Sequence, residues 1–298
     1  MKVLLAVDGS RYALAATRFV CEYLAQPGRH VDVLHVLPLT VQEGAAQPRH
    51  QPEHLRIPPE SRRWLDRAEK LLRARGFTVA RHVRRGFPAR VVPELVAKGG
   101  YDLVVLGAKG RSDIPYLPTG SVALAMLEHD VAANLLLVRG RQLRKKRDVM
   151  TRGKSFPVLF ATDGSPRVEL AARSFYRMFR IPDLRPIAVA VTELPGRAAL
   201  AGMRSEDRKQ LIRLLGNGTR GWAREAKPLL ARPGVRPQAL ALQGRAAAAI
   251  VEEAGRIGAR LIVLGSRGVK SPSGPPLGSV ALQIARFAPC SILLVRER

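Results

Sequence analysis

Short apolar runs alternate along this chain with stretches in which apolar residues recur every three or four positions. The first run, Lys2–Val7 (KVLLAV), has the length of a buried strand. Asp8-Gly9-Ser10 supplies a turn, and Ser10 suits the N-cap of a helix with Leu14, Thr17, Cys21 and Leu24 on one face, ending at Pro27-Gly28. Val31–Leu37 (VDVLHVL) reads as a second strand, and Leu39–Pro59, rich in proline and weakly periodic, as a loop or lid. Glu60–Arg75 is a helix with Trp64, Leu65, Ala68, Leu71 and Leu72 on one face, stopped by Gly76. Phe77–Val83 is a third strand, Ala89–Lys98 a helix ended by Gly99-Gly100, and Leu103–Leu106 a fourth strand. A glycine-rich loop follows, then a helix over Val122–Glu128 and a fifth strand, Asn134–Val138.

The pattern then restarts. Pro157–Thr162 is a strand, Asp163-Gly164-Ser165 repeats the turn, and Pro166 falls at the first helical position, where its missing N–H is harmless. Ile187–Val191 mirrors the second strand, and Trp222, Leu229-Leu230 and Gly244 mirror Trp64, Leu71-Leu72 and Gly86. The offset is 155 residues at the DGS turn and 158 from the Trp helix onward, so the chain is one unit duplicated. Strand–helix alternation predicts parallel pairing through right-handed crossovers, with helices on both faces of each sheet. The basic run Arg139–Lys154 joins the halves and reads as a solvated linker ahead of a contact for nucleic acid or an anionic surface, giving domains at 1–140 and 156–298 with the linker at 141–155.

Both halves carry the same loop. Gly107–Ser121 (GAKGRSDIPYLPTGS) and Gly265–Ser279 (GSRGVKSPSGPPLGS) each read Gly, two residues, Gly, nine residues, Gly-Ser. Each sits between a strand and a helix start, where bare backbone N–H groups and the helix N-terminus can receive phosphate oxygens. Ser121 and Ser279 stand where a hydroxyl could cap the helix or touch a phosphate. A plain strand-to-helix turn is the competing reading, and duplication of such a turn would also repeat the spacing. Asp8, the residues after Val36 and the Gly107 loop all fall at the carboxyl ends of strands, where open parallel sheets bind ligands.

The 298 residues are 46% apolar, enough for two sizeable cores. The sequence shows no apolar run of membrane-spanning length, its start is not expected to act as a signal peptide because Val3–Val7 meets Asp8 too early, and its two cysteines, Cys21 and Cys290, have no metal-type spacing. A reducing cytoplasm fits that pattern. The net charge is +26, from 50 Lys+Arg against 24 Asp+Glu. Basic residues are scattered and rarely interleaved with aromatics, so contact with nucleic acid is expected to be weak and non-specific.

DGS after the first strand, His35-Val36 near the end of the second, G-x2-G-x9-G-S and a VALA-type helix together resemble the universal stress protein family, over nearly the whole chain and twice in tandem. The glycine pattern is that family's ATP-binding signature. The resemblance implies two tandem three-layer α/β sandwiches with five-stranded parallel sheets, Rossmann-like and similar to the adenine nucleotide alpha hydrolases. It implies that Ala6, Asp8 and Val36 in the first half, and Ala161, Asp163 and Val191 in the second, lie at base and ribose. Gly107, Gly110, Arg111, Gly120, Ser121 and Val122 would hold the phosphates, as would Gly265, Gly268, Gly278, Ser279 and Val280. ATP is the implied cofactor, with Mg2+ or Mn2+ as its companion. The resemblance also implies that the two domains pair through their apolar last strands, and it leaves room for a homodimer.

The halves depart from each other. His35 becomes Ala190, Tyr101-Asp102 becomes Ala259-Arg260, Pro272, Pro275 and Pro276 stiffen the second loop, and Asp113 puts a negative charge in the first. Unequal sites are therefore expected. All six histidines, His30, His35, His50, His54, His82 and His129, lie in the first half, whereas a duplicated enzyme would keep its base in both. No activated nucleophile shows, and VDGSRY and TDGSPR lack the SGGxDS loop of the related ATP pyrophosphatases. The expectation is a nucleotide-binding stress-response regulator without efficient catalysis. The alternatives are a scaffold of the same fold with empty sites and a basic protein associated with nucleic acid.

Overall fold

The computed structural model describes residues 1–24, 29–39, 56–110, 119–140, 155–196, 200–267 and 277–296. The chain divides into two compact units, one built mainly from Met1–Met150 and the other mainly from Thr151–Val295. The expected basic linker lies outside the described residues except for Ser155, and so does most of the expected lid, 40–55.

The first unit runs β1 (Lys2–Ala6), α1 (Arg11–Tyr23), β2 (His30–Pro38), α2 (Pro59–Arg73), β3 (Thr78–Gly86), α3 (Pro88–Gly99), β4 (Leu103–Gly107), α4 (Ser121–Glu128) and β5 (Asn134–Val138). Its strands lie in the order β3-β2-β1-β4-β5, all parallel. Val3 is in register with Val31 on one side and Leu103 on the other, so the strand order switches direction between β1 and β4. Leu4, Leu5, Leu103 and Leu135 are fully buried because helices cover both faces. α1 packs with α2, and α3 with α4, which makes the three-layer sandwich.

The second unit repeats this plan with β6 (Phe156–Ala161), α5 (Arg167–Met178), β7 (Leu184–Thr192), α6 (Ser205–Leu229), β8 (Gln238–Gln243), α7 (Ala246–Arg256), β9 (Leu261–Gly265), α8 (Ser279–Phe287) and β10 (Ser291–Val295). Its parallel strands are ordered β8-β7-β6-β9-β10, with the switch between β6 and β9. α6, at 25 residues, is longer than α2, its counterpart of 15.

Local chemistry accounts for the helix ends. Ser10 accepts a hydrogen bond from the Ala13 N–H at 3.1 Å and caps α1 as expected. α3 ends on Gly100 in the left-handed conformation, φ +60°. α5 differs slightly from expectation. Pro166 forms a tight turn, with Glu169 N–H bonded back to its carbonyl at 3.0 Å, and the α-helix proper begins at Arg167. Cys21 and Cys290 are both buried thiols, and burial pushes Cys21 up to about 11, which leaves no thiolate nucleophile there.

Candidate functional site

The switch point of the first sheet opens into a cavity of about 240 Å³. That is just below the roughly 300–1,000 Å³ range of small-molecule pockets. Its lining gathers segments far apart in sequence: Ala6 and Asp8 after β1, Val36 and Pro38 at the end of β2, Pro88 and Val92 of α3, and the ends of the glycine loop. Gly107, Lys109, Gly110, Gly120, Ser121 and Val122 all contribute to it. Every expected site residue of the first half is therefore brought together here, except Arg111, which lies outside the described residues.

The glycines are required by close approach rather than by unusual dihedrals. A Cβ on Gly107 would lie 2.7 Å from the Cβ of Tyr12, and one on Gly110 would lie 2.9 Å from Oδ2 of Asp8. Gly120 has φ −72° and ψ 158°, open to any residue, yet a Cβ there would meet Lys109 and Gly110 backbone at 3.2 Å. Its N–H bonds to the Ala108 carbonyl at 2.8 Å and cinches the two ends of the loop together. This geometry corrects the capping alternative for Ser121. Gly120 is the N-cap of α4, and Ser121 is its first helical residue, exposed at the cavity. The helix start keeps its first N–H groups outside the intrahelical ladder.

Asp8 is held by the turn it begins: its Oδ1 accepts from the Ser10 N–H at 3.0 Å. Behind it, His35 is buried, with Nδ1 2.7 Å from the Val7 carbonyl and Nε2 3.1 Å from the Ser61 hydroxyl. The imidazole thus ties β2 to β1 and α2 and fixes the cavity wall at Val36. Lys109, a residue the motif reading passed over, lines the same cavity. The signal for it was present, since Arg267 occupies the matching loop position.

In the second unit Asp163 again holds its turn, with Ser165 N–H on Oδ1 at 3.1 Å, and Gly278 N–H bonds to the Ser266 carbonyl at 2.8 Å. Gly278 is the N-cap of α8 and Ser279 its first residue, so the same correction applies. Ala161, Val191, Gly265 and Val280 occupy stations matching those of the first unit, whereas Gly268 lies outside the described residues. Asp163 is exposed where Asp8 is half-buried, and Val191 is half-buried where Val36 is buried. Thr192 and Thr219 hydroxyls, 2.7 Å apart, tie β7 to α6 where His35 and Ser61 tie β2 to α2. The Tyr101-Asp102 departure has no bearing on either site. Tyr101 bonds Asp32, and Asp102 receives the Lys2 N–H, at the amino ends of the strands.

The architecture is a tandem pair of doubly wound parallel α/β units, each with a glycine-rich strand–loop–helix at its switch point. The sequence model of the universal stress protein family matches residues 1–138 and again 156–296. The chain belongs to the universal stress protein family. A universal stress protein of Mycolicibacterium smegmatis is 25% identical over 303 residues, covering 99% of this chain and 97% of its own. One from Thermus aquaticus is 46% identical over 61 residues, 20% of this chain and 44% of its own. Among solved structures, a universal stress protein from Archaeoglobus fulgidus superposes with a TM-score of 0.56 at 18% identity, covering 99% of this chain and 98% of that one.

Proposed function

We propose that this protein binds ATP in the first cavity and that occupancy, rather than turnover, is its output as a nucleotide-dependent regulator in the stress response. The observation that carries the reading is the convergence of Asp8, Val36 and the Gly107–Ser121 loop ends on one cavity at the switch point. In this reading Val36 backbone meets the adenine and Asp8 the ribose. The N–H groups of Ser121 and Val122 meet phosphate oxygens, and Lys109 supplies countercharge. Among the described residues no cluster of three or more His, Cys, Asp or Glu could hold a metal by itself. Mg2+ or Mn2+ would therefore be carried mainly by the phosphates, with Asp8 as the lining carboxylate, and would neutralise their charge. Both ring nitrogens of the lining His35 are already engaged, which argues against a general base and supports regulation without efficient catalysis.

The proposal extends to a cytoplasmic protein whose halves associate, since each half ends in an apolar strand. Separately expressed halves that match the stability of the whole chain would remove that part. ATP titrated calorimetrically into the wild type and Gly120→Glu tests the site. Binding should be lost in the variant, because a carboxylate then stands where backbone must approach phosphate, while the thermal midpoint stays within a few degrees. A wild type that binds no ATP would leave an empty scaffold of this fold.

A further inference from the structure

The two candidate sites differ at one wall. In the first unit β2 ends at Pro38 and α3 begins at Pro88. Pro88 has no N–H to offer, and with Pro38 and Val92 it lines the cavity as an apolar surface without charge. In the second unit the same stations are Glu193, just past β7, and Ala246, the first residue of α7, with Ile250 for Val92. Ala246 has an N–H, and Glu193 Oε1 accepts it at 2.9 Å. The carboxylate is thereby drawn across the corner between strand and helix, where a helix N-terminus favours negative charge.

We propose that Glu193 makes the two units unequal, so that the first takes ATP and the second is closed to it at ordinary concentrations; this rests on the nucleotide reading of the first cavity. A nucleotide approaching the second site carries its negative charge towards an exposed carboxylate at the station that is Pro38 in the first. A base entering the second site must lie against a carboxylate instead of Pro38 and Pro88, and can displace it only by breaking a charge-assisted hydrogen bond. Glu193 is exposed, so the repulsion between like charges is screened by water and strongest at low ionic strength. Glu193 is thus a specificity-determining residue, and Pro38 is its permissive counterpart.

Calorimetric titration of ATP into the full chain decides it, with Gly120→Glu, Gly278→Glu, Glu193→Gln and Glu193→Ala as variants and thermal midpoints recorded for each. The expected result is one ATP per wild-type chain, lost in Gly120→Glu and kept in Gly278→Glu. Both Glu193 variants should bind a second ATP that the wild type does not take up over the same concentration range. Two equal events in the wild type, or a single event that only Gly278→Glu removes, overturn the inference and leave ATP binding intact. One event in the wild type that stays single in both Glu193 variants removes Glu193 from the role. No binding at all overturns the nucleotide reading on which the inference rests.

Discussion

At the residue scale one heavily bonded carboxylate lies away from the candidate site. Asp32 of β2 is 3% exposed. Its Oδ1 lies 2.7 Å from His30 Nε2 and 3.2 Å from His82 Nε2, and its Oδ2 accepts the Tyr101 hydroxyl at 2.7 Å, with Lys2 Nζ 3.7 Å away. Burial by itself would raise the carboxyl, but the bonds from Tyr101 and His30, with the His82 ring close by, outweigh it and hold Asp32 below the ordinary carboxylate range. The same pairing, after burial, pushes the Tyr101 hydroxyl up. A carboxyl depressed in the fold contributes stability that is complete above its unfolded value, about 3.9, and is lost as pH falls through the depressed one. Asp32→Asn should cost roughly 1–3 kcal/mol at neutral pH. It should also flatten the acid limb of the stability curve. Urea unfolding followed from neutral to acidic pH checks both, and an unchanged acid limb would count against this account. The cluster could not be read from the sequence, because Tyr101 is 69 residues from Asp32 and nothing in their spacing links them.

At the element scale the repeated DGS turn and the repeated tryptophan explain each other. Gly9 has φ +79° and Gly164 φ +83°, both left-handed. A Cβ on Gly9 would lie 2.2 Å from the Trp64 ring, and one on Gly164 would lie 2.5 Å from Nε1 of Trp222. Each turn is therefore glycine for two reasons: its backbone conformation and the indole lying over it. Gly9→Ala should destabilise the protein by about 2 kcal/mol, from backbone strain and displacement of Trp64. Gly164→Ala should do the same through Trp222. Thermal melts of the two variants measure this, and a melt equal to wild type would contradict it. Most elements were legible because each alternates cleanly and is bounded by Gly, Pro or a cap. β5 matches its expected span, and β1, β2, β3, β4, β6 and β7 begin and end within three residues of theirs. The N-cap identity of Gly120 was not legible, since Gly-Ser before a helix admits either residue as the cap. That choice is made by the bond from Gly120 N–H to Ala108, across the loop.

At the scale of the whole molecule, charge is the property that sets this chain apart. With a net charge of +26, it should attract any polyanion. Binding to a short labelled DNA duplex should be weak, indifferent to sequence and steeply reduced by added salt, because released counterions drive it. Fluorescence anisotropy over a salt series shows this, and a sequence-specific complex that persists at high salt would refute it. Among the described residues no helix is long and apolar enough to cross a membrane.

The sequence by itself determined the duplication, the strand–helix order, the parallel class of the sheets and the two glycine loops. All of these are written in local periodicity and spacing, which survive without knowledge of any contact. It could not say that Lys109, Pro38 and Pro88 share a cavity with Asp8, that His35 is spent on Val7 and Ser61, or that Glu193 reaches the first N–H of α7. Those facts depend on which strand ends meet at a switch point and on which side chain is long enough to span the gap. Only the folded chain, bringing residues tens of positions apart within 3 Å or so, decides them.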